Sequence, residues 1–209
     1  MLSHTDDAAG VVAAAPRSTR LYTRQENNMA YTANTLLIKP DEGEATDSMV
    51  VKVRAAQLGG DFSIMEGSID KDQLLAPHSH VHEDQCVFII AGEIEFEVGG
   101  EGGERFTAPA GSYVIKPRGI PHAFWNKRDE QVRYIELSGG RGFEGFTDST
   151  RFGAIRAGMQ SDEKFGVKFY MDYALRLMKQ HGLTSIRGVQ MPWEQLEGSS
   201  PLEKLRSFI

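Results

Sequence analysis

Residues 76–93 read APHSHVHEDQCVFIIAGE, and this stretch decides how the fold of the chain is interpreted. Three histidines, an acidic pair and a glutamine lie within the eight residues from His78 to Gln85, directly before an apolar run of strand length. His78 and His80 are two residues apart, so on a β-strand their side chains point to the same face and can reach one metal ion. Gly92 then allows a tight reversal into the next strand.

A further histidine lies near the head of a later predicted strand. Residues 111–126 read GSYVIKPRGIPHAFWN, in which a glycine turn, a strand and a Pro-Arg-Gly turn precede His122. If the two strand pairs face each other across a barrel, His122 meets His78 and His80 at one point, although spacing alone does not prove the convergence. Imidazole suits Fe, Mn, Co, Ni, Cu and Zn alike, so these ligands predict one divalent transition metal without naming it.

Short segments typical of β-strands follow one another from Thr32 onwards. Several are enriched in Val, Ile, Phe and Tyr, and Gly, Pro, Asn or Asp separates them. The segment EIEFEV at 93–98 alternates charged and apolar residues, which indicates a strand with one solvent-exposed face. So many short strands predict an all-β sandwich or barrel.

The pattern changes after Gly139. Residues 163–182, EKFGVKFYMDYALRLMKQHG, predict a single helix that stops at Gly182. Its apolar stripe comprises Met171, Ala174, Leu175 and Met178. We interpret this stripe as a surface that packs on the barrel or across a subunit boundary. The predicted organisation is an N-terminal arm at 1–31, a barrel at 32–146 and a C-terminal helical extension at 147–209.

Composition excludes several function classes. The net charge is −6 and no cluster of Lys and Arg forms a stripe, which argues against nucleic acid and anionic membranes as partners. Cys86 is the single cysteine, so no internal disulfide forms and a reducing compartment is expected. No apolar run approaches the length of a membrane span. Asp6 and Asp7 precede the short apolar stretch near the start, and no Lys or Arg does, so we predict a cytoplasmic protein without a signal peptide.

The two histidine stretches resemble the two motifs of the cupin superfamily. The second motif, G-x5-P-x-G-x2-H-x3-N, is matched in full at Gly111, Pro117, Gly119, His122 and Asn126. The first motif, G-x5-H-x-H-x3,4-E-x6-G, is matched at His78, His80 and Gly92. It departs at Asp72, where the leading glycine would stand, and at Gln85, where the glutamate would stand.

Within the superfamily the chain is most similar to small single-domain cupins of the quercetin-dioxygenase-like kind. The similarity lies in AGE at 91–93, PRGIPHAF at 117–124, GFEGF at 142–146 and the helix end KQHGL at 179–183. The resemblance implies a single jelly-roll type antiparallel barrel that holds one divalent transition metal, and it implies frequent dimers. Together with the arm and the apolar helix stripe, it predicts a homodimer.

Gln85 raises a separate question, because its amide oxygen can coordinate a metal but is neutral and a weaker donor than a carboxylate. We expect Gln85 in the fourth ligand position beside His78, His80 and His122. Two alternatives stay open. Gln85 hydrogen-bonds a metal-bound water instead, or Asp84 is the ligand, since the motif tolerates either spacing.

Four neutral ligands leave a divalent metal with its full charge, which favours an anionic or chelating substrate oxygen. A glutamine cannot act as a base. Cleavage of flavonols by a mechanism in which the glutamate of the first motif takes the substrate's proton is therefore not expected here. The base is then His82 or Glu83, a metal-bound hydroxide, or none if the substrate arrives ionised. The candidate catalytic residues are therefore Gln85, His82 and Glu83. Phe124 is two residues from His122 and so faces the same side of the predicted strand, which makes it a candidate for the substrate pocket.

The leading functional hypothesis is a metal-dependent oxygenase of the dioxygenase type that acts on a small aromatic or enolisable compound, with O2 as the possible co-substrate. A non-oxidative isomerase, lyase or cyclase that uses the metal as a Lewis acid is the first alternative. A ligand-binding cupin without catalysis is the second, because one fold hosts all three functions.

Overall fold

The computed structural model describes residues 36–150 and 161–188. The strands are β1 Glu44–Ala45, β2 Val50–Val53, β3 Ser63–Ile69, β4 Gln73–His80, β5 Gln85–Ala91, β6 Glu93–Val98, β7 Glu104–Pro109, β8 Tyr113–Lys116, β9 His122–Trp125, β10 Val132–Ser138, β11 Val167–Phe169 and β12 Ser185–Ile186. The helices are a short 3-10 helix Ala55–Leu58, then α1 Gly142–Thr150, α2 Ser161–Phe165 and α3 Met171–His181. The predicted arm at 1–31 lies outside the described residues.

The strands form two sheets of six strands each. The first sheet has the order β1-β2-β3-β10-β5-β8, and the second has the order β11-β4-β9-β6-β7 with β12 added beside β4. Every neighbouring pair is antiparallel except β12 with β4, which is parallel. This arrangement confirms the predicted all-β antiparallel barrel, with few helices that follow at its C-terminal end. None of the helices in the described ranges is both long and apolar enough to cross a membrane.

The main core lies between the two sheets and follows from strand alternation. On β6, Ile94 and Phe96 are fully buried against this core. Glu97 lies on the opposite face of β6, where the sequence predicts exposure to solvent, yet it is also fully buried. Helix α3 covers it, because the hydroxyl of Tyr173 donates to the Glu97 carboxylate and Arg105 forms an ion pair with it. A buried carboxylate is tolerated here because it is paired and hydrogen-bonded.

A second apolar cluster joins α3 to the outer face of the second sheet, and it corrects the predicted helix stripe. Ala174 and Met178 are buried as predicted, whereas Met171 and Leu175 are exposed. Tyr173 and Leu177 complete the buried face instead. The difference arises because neighbouring residues on a helix are about 100° apart, so Leu175 points away from the face that Ala174 presents to the sheet.

The single helix predicted at 163–182 is wrong, because the segment divides into α2, β11 and α3. Gly166, with a φ of +68°, ends α2 in the left-handed region that favours glycine. The three residues of β11 then pair with β4, with Val167 opposite His80 and Phe169 opposite His78. The apolar residues that suggested a helix therefore extend the sheet beside the histidine strand.

Candidate metal site

A β-bulge sets the direction of the histidines on β4. Between two paired positions, Leu75 with Phe124 and His78 with His122, β4 advances by three residues while β9 advances by two. The extra residue reverses the alternation of side chains, so Leu75 and His78 both face the space between the sheets. Pro77 lies in this irregular segment, as is usual for a proline inside a sheet.

The bulge brings the three predicted histidines together in the barrel interior. The ring centroids of His78 and His122 are 4.4 Å apart, those of His78 and His80 are 4.9 Å apart, and those of His80 and His122 are 5.4 Å apart. All three side chains are at most 3% exposed, and one ligand atom from each lies within 4.8 Å of the others. This cluster of buried imidazoles could hold a metal ion.

Hydrogen bonds select the tautomers that suit such an ion. Nδ1 of His78 is 2.8 Å from the carbonyl oxygen of Ala76, and Nδ1 of His122 is 3.0 Å from that of Ile120. Each Nδ1 therefore carries a proton that it donates, and each Nε2 presents a lone pair. The two Nε2 atoms are only 3.2 Å apart, so two acceptors face each other across a gap that a cation would bridge. The donor set fits a divalent transition metal.

His80 supports the same interpretation, because neither of its ring nitrogens has a hydrogen-bond partner among the described residues. Burial and, to a smaller extent, the charge of Lys116 lower the pKa of His78 to about 3. Burial also holds the pKa values of His80 and His122 well below their usual range. All three rings are therefore neutral near pH 7, which is the form that coordinates metals.

Gln85 lies at the start of β5, and a short hydrogen-bond chain determines which way its amide faces. Its Nε2 donates to Oγ of Ser138 at 3.0 Å, and that hydroxyl donates to Oε2 of Glu83, also at 3.0 Å. Because the Ser138 proton goes to the carboxylate, the hydroxyl accepts from Gln85, and the amide oxygen is left over. This oxygen is buried and has no partner in the described part of the chain. It is the atom of Gln85 that is available to coordinate a metal or to accept a hydrogen bond from a ligand.

Glu83, a predicted catalytic base, is placed at the start of α1. Its carboxylate accepts hydrogen bonds from the backbone N–H groups of Gly142 and Phe143 and from Ser138. A carboxylate in this position satisfies N–H groups that have no partner within the helix and interacts favourably with the helix dipole. His82, the other candidate base, is exposed and lies in a surface cleft beside Gly166. The structure therefore does not bring either candidate base into the histidine cluster.

Asp84 is placed on the surface rather than in the barrel. Its carboxylate forms a bidentate pair with the guanidinium of Arg118, in which Nη2 donates to Oδ2 at 2.6 Å and Nε donates to Oδ1 at 3.2 Å, and Oδ1 also accepts from the Arg118 backbone N–H. These hydrogen bonds lower the pKa of Asp84 to about 2. The placement argues against Asp84 as the fourth ligand and leaves Gln85 as the candidate.

Two buried charged residues near the site were missed by sequence reasoning. Lys116 and Glu136 are both almost fully buried, and Nζ of the lysine donates to Oε2 of the glutamate at 2.7 Å. Their positions along the strands carried the signal. Lys116 is two residues from the buried Val114, and Glu136 is two residues from the buried Tyr134, so each charged residue continues an inward-facing stripe.

Aromatic side chains enclose the histidines. Phe143 of α1 packs edge-on against His80 with a centroid separation of 5.1 Å, and Phe169 of β11 lies 5.6 Å from His78. Phe124, the predicted pocket residue, is fully buried one step along β9 from the site and packs against Tyr134 at 5.4 Å. The site therefore combines a few polar atoms with apolar walls, the composition typical of small-molecule sites.

A family profile described as the cupin domain matches residues 65–138. That range contains the three histidines, Gln85, Lys116 and Glu136. The match supports the cupin superfamily. It does not extend to the quercetin-dioxygenase-like subtype.

Several solved structures are similar to parts of the chain. A protein with a double-stranded β-helix domain from Klebsiella pneumoniae is 18% identical, with 53% of this chain and 89% of that chain covered and a TM-score of 0.39. KdgF from a Halomonas species is 20% identical, with coverage of 44% and 77% and a TM-score of 0.38. The DMSP lyase DddQ from Ruegeria pomeroyi is 26% identical, with coverage of 39% of each chain and a TM-score of 0.35. A comparison with curated protein sequences finds no match.

The first prediction concerns the histidine cluster. His122→Ala removes one of the three converging candidate ligands, so we expect metal affinity to fall by more than about 100-fold. This loss exceeds the one expected when a group that only hydrogen-bonds a metal ligand is removed. His82→Ala is the matched control, since this histidine is exposed, and it should retain full metal content. Metal per protein is measured by inductively coupled plasma mass spectrometry. Stoichiometric metal in His122→Ala would show that the cluster is not the metal site.

The second prediction concerns the fourth position. Gln85→Glu places a carboxylate where the free amide oxygen now lies, and we expect divalent metal to bind roughly tenfold tighter because charged donors bind more strongly than neutral ones. Asp84→Asn should leave the affinity unchanged, because Asp84 is engaged with Arg118 on the surface. Competition titrations with a chelating dye compare the two variants. Metal loss confined to Asp84→Asn would identify Asp84 as the ligand instead.

Proposed function

We propose that this protein is a metal-dependent cupin enzyme of the dioxygenase type, acting on a small aromatic or enolisable compound. The observation that carries the proposal is the donor set itself. Three buried imidazoles present neutral nitrogens to one point, and the amide oxygen of Gln85 is the remaining free donor nearby in sequence. Such a set adds no negative charge to a bound metal.

The charge of the site defines the substrate that suits it. A divalent metal held by His78, His80 and His122 would supply Lewis acidity and, if redox-active, access to O2 chemistry. The amide of Gln85 does not take up a proton near neutral pH, so the chain provides no base at position 85. A substrate that arrives with an ionised hydroxyl or enolate next to a second oxygen matches these requirements. The surrounding Phe143 and Phe169 exclude water from the reacting atoms.

A second candidate function is non-oxidative catalysis by an isomerase, lyase or cyclase. The observation that favours it is the buried pair of Lys116 and Glu136, which brings groups that can transfer protons into the same interior. Proton transfer of this kind needs no oxygen. A ligand-binding cupin without turnover is the third hypothesis, and the experiment below separates all three.

The third prediction is oxygen consumption. Purified protein loaded in turn with Fe, Mn, Ni, Co, Cu or Zn is incubated with a panel of phenols and β-diketones, and O2 uptake is followed with an electrode alongside substrate loss by chromatography. We expect uptake that matches substrate loss for at least one compound with a redox-active metal, and none with His122→Ala. Turnover that persists without oxygen would favour the non-oxidative isomerase, lyase or cyclase, in which the metal acts as a Lewis acid. Tight binding without turnover under every metal would leave a binding protein.

We also propose that two copies of the chain associate. The edge strand β8 presents Tyr113 and Ile115 to solvent, with exposed fractions of 67% and 72%. Phe88, which lies opposite Tyr113 on β5, continues the apolar surface. Exposed apolar residues on the edge of a sheet favour association with another chain. Met171 and Leu175 of α3 form a second exposed apolar site.

The predicted cytoplasmic location stays a prediction.

The fourth prediction tests this association by sedimentation velocity at micromolar concentration. We expect a dimer for the wild-type chain and a monomer for the double variant Tyr113→Lys and Ile115→Lys, because two buried charges without partners would oppose contact. Leu175→Lys serves as the matched change on the helix. If Leu175→Lys is the monomeric variant, the interface lies at α3 instead of β8. A monomeric wild-type chain would contradict the proposal.

A further inference from the structure

The inner face of the first sheet carries a row of polar side chains, of which the leading reaction as proposed uses only Gln85. Residues opposite one another on neighbouring strands share a face of the sheet. Four such residues follow one another across the first sheet, namely Ser63, Ser138, Gln85 and Lys116. Glu136 lies two residues from Ser138 on the same strand, so it faces the same way. All five are buried.

The pair formed by Lys116 and Glu136 is not explained by stability. Part of its surroundings is apolar, since Val87 lies opposite Glu136 on the neighbouring strand and Nζ of Lys116 is 5.6 Å from the centre of the Phe124 ring. Removing two charges from water costs several kcal/mol per ion, and well-packed apolar residues of similar size often stabilise a protein as much or more. A retained pair of this kind in a core therefore calls for another explanation.

The pair is also incompletely satisfied. Oε1 of Glu136 is buried and has no hydrogen-bond partner among the described residues. The hydrogen bond to Glu136 uses one of the three N–H donors of Lys116. An unpaired buried acceptor of this type lowers the stability of the fold, which points to a ligand that supplies the missing donor. Gln85 Oε1 and Ser63 Oγ lack partners in the same row.

The row lies within reach of the metal-binding histidines. Lys116 is opposite Gln85 in the strand register, and its Nζ lies 5.6 Å from the ring centre of Phe124, which is two residues from His122 on β9. A small molecule bound at the histidines would therefore have its far end near the ammonium and the carboxylate.

We propose that Lys116 and Glu136 are substrate-binding residues that hold an organic acid with a neighbouring hydroxyl group. The carboxylate of the substrate lies against the free N–H donors of Lys116, and the hydroxyl donates to Oε1 of Glu136. This inference rests on the proposed function for the location of the reaction and narrows its substrate class from phenols and enols in general to hydroxylated acids. Without substrate, the charges of the lysine and the glutamate neutralise each other. When the anionic substrate binds, its negative charge is compensated by the cationic metal beside it.

The fifth prediction uses three probes of similar size. Mandelate carries a carboxylate and an adjacent hydroxyl, phenylacetate lacks the hydroxyl, and 1-phenyl-1,2-ethanediol lacks the carboxylate. Calorimetric titration of the full chain loaded with redox-inactive zinc should show mandelate binding about tenfold tighter than either relative, the factor expected from one charge-assisted hydrogen bond. The titrations are repeated on metal-free protein, where chelation cannot contribute to the preference.

Two variants test the residues. The double variant Lys116→Met and Glu136→Leu keeps the volume and removes both charges, and we expect it to lose the mandelate preference while keeping its metal content and melting temperature. Lys71→Met with Asp129→Leu removes an equivalent but exposed ion pair and is the matched control, with no change expected. Glu136→Gln, which is isosteric, should bring the mandelate to phenylacetate ratio close to one without weakening phenylacetate.

Two results would overturn the inference. One is an unchanged mandelate affinity in both the double variant and Glu136→Gln, and the other is a wild-type protein that binds none of the probes with or without zinc. A lower melting temperature of the double variant at constant mandelate affinity would identify the pair as structural. Metal binding and oxygen uptake are measured separately, so failure of the proposed function leaves these binding results interpretable.

Discussion

The approach of two imidazole acceptors in the barrel interior is the constraint on which the rest of the site depends. Nε2 of His78 and Nε2 of His122 are 3.2 Å apart, and backbone carbonyls hold the proton of each ring at Nδ1. Two lone pairs at this distance repel each other unless a cation lies between them. The bulge in β4, the register with β9 and the pairing of β11 all serve to hold these rings together. The geometry of the sheets therefore creates a position that suits a cation.

Ser138 connects this centre to the helical part of the structure. Its hydroxyl accepts from Gln85 and donates to Glu83, whose carboxylate also accepts from the first N–H groups of α1. The direction of the Gln85 amide is thus coupled to the start of the helix that carries Phe143 against His80. One chain of hydrogen bonds orients a candidate ligand and positions part of the apolar wall. A glutamate at position 85 would place two carboxylates on either side of one hydroxyl, which gives a physical reason for the neutral amide.

The interior is electrostatically divided between its two sheets. The second sheet contributes neutral imidazoles, while the first contributes a row of acceptors together with the paired charges of Lys116 and Glu136. Burial disfavours the charged form of each group, which lowers the pKa of the lysine and raises that of the glutamate, whereas their mutual attraction opposes both shifts. A bound anion would meet positive charge at both ends, from the metal and from the ammonium.

The amino-acid sequence by itself determined the strands, their glycine and proline turns and the three histidine candidates, because these depend on local spacing and alternation. Their convergence required the bulge between Leu75 and His78, which local alternation does not reveal. Only the tertiary structure decided that Glu83 caps a helix and that Asp84 pairs with Arg118, since both depend on partners distant along the chain. The same holds for β11 and for the pair of Lys116 and Glu136. Hydrogen bonds and ion pairs between segments remote in sequence are set by the register of the sheets, and that register is a property of the folded chain as a whole.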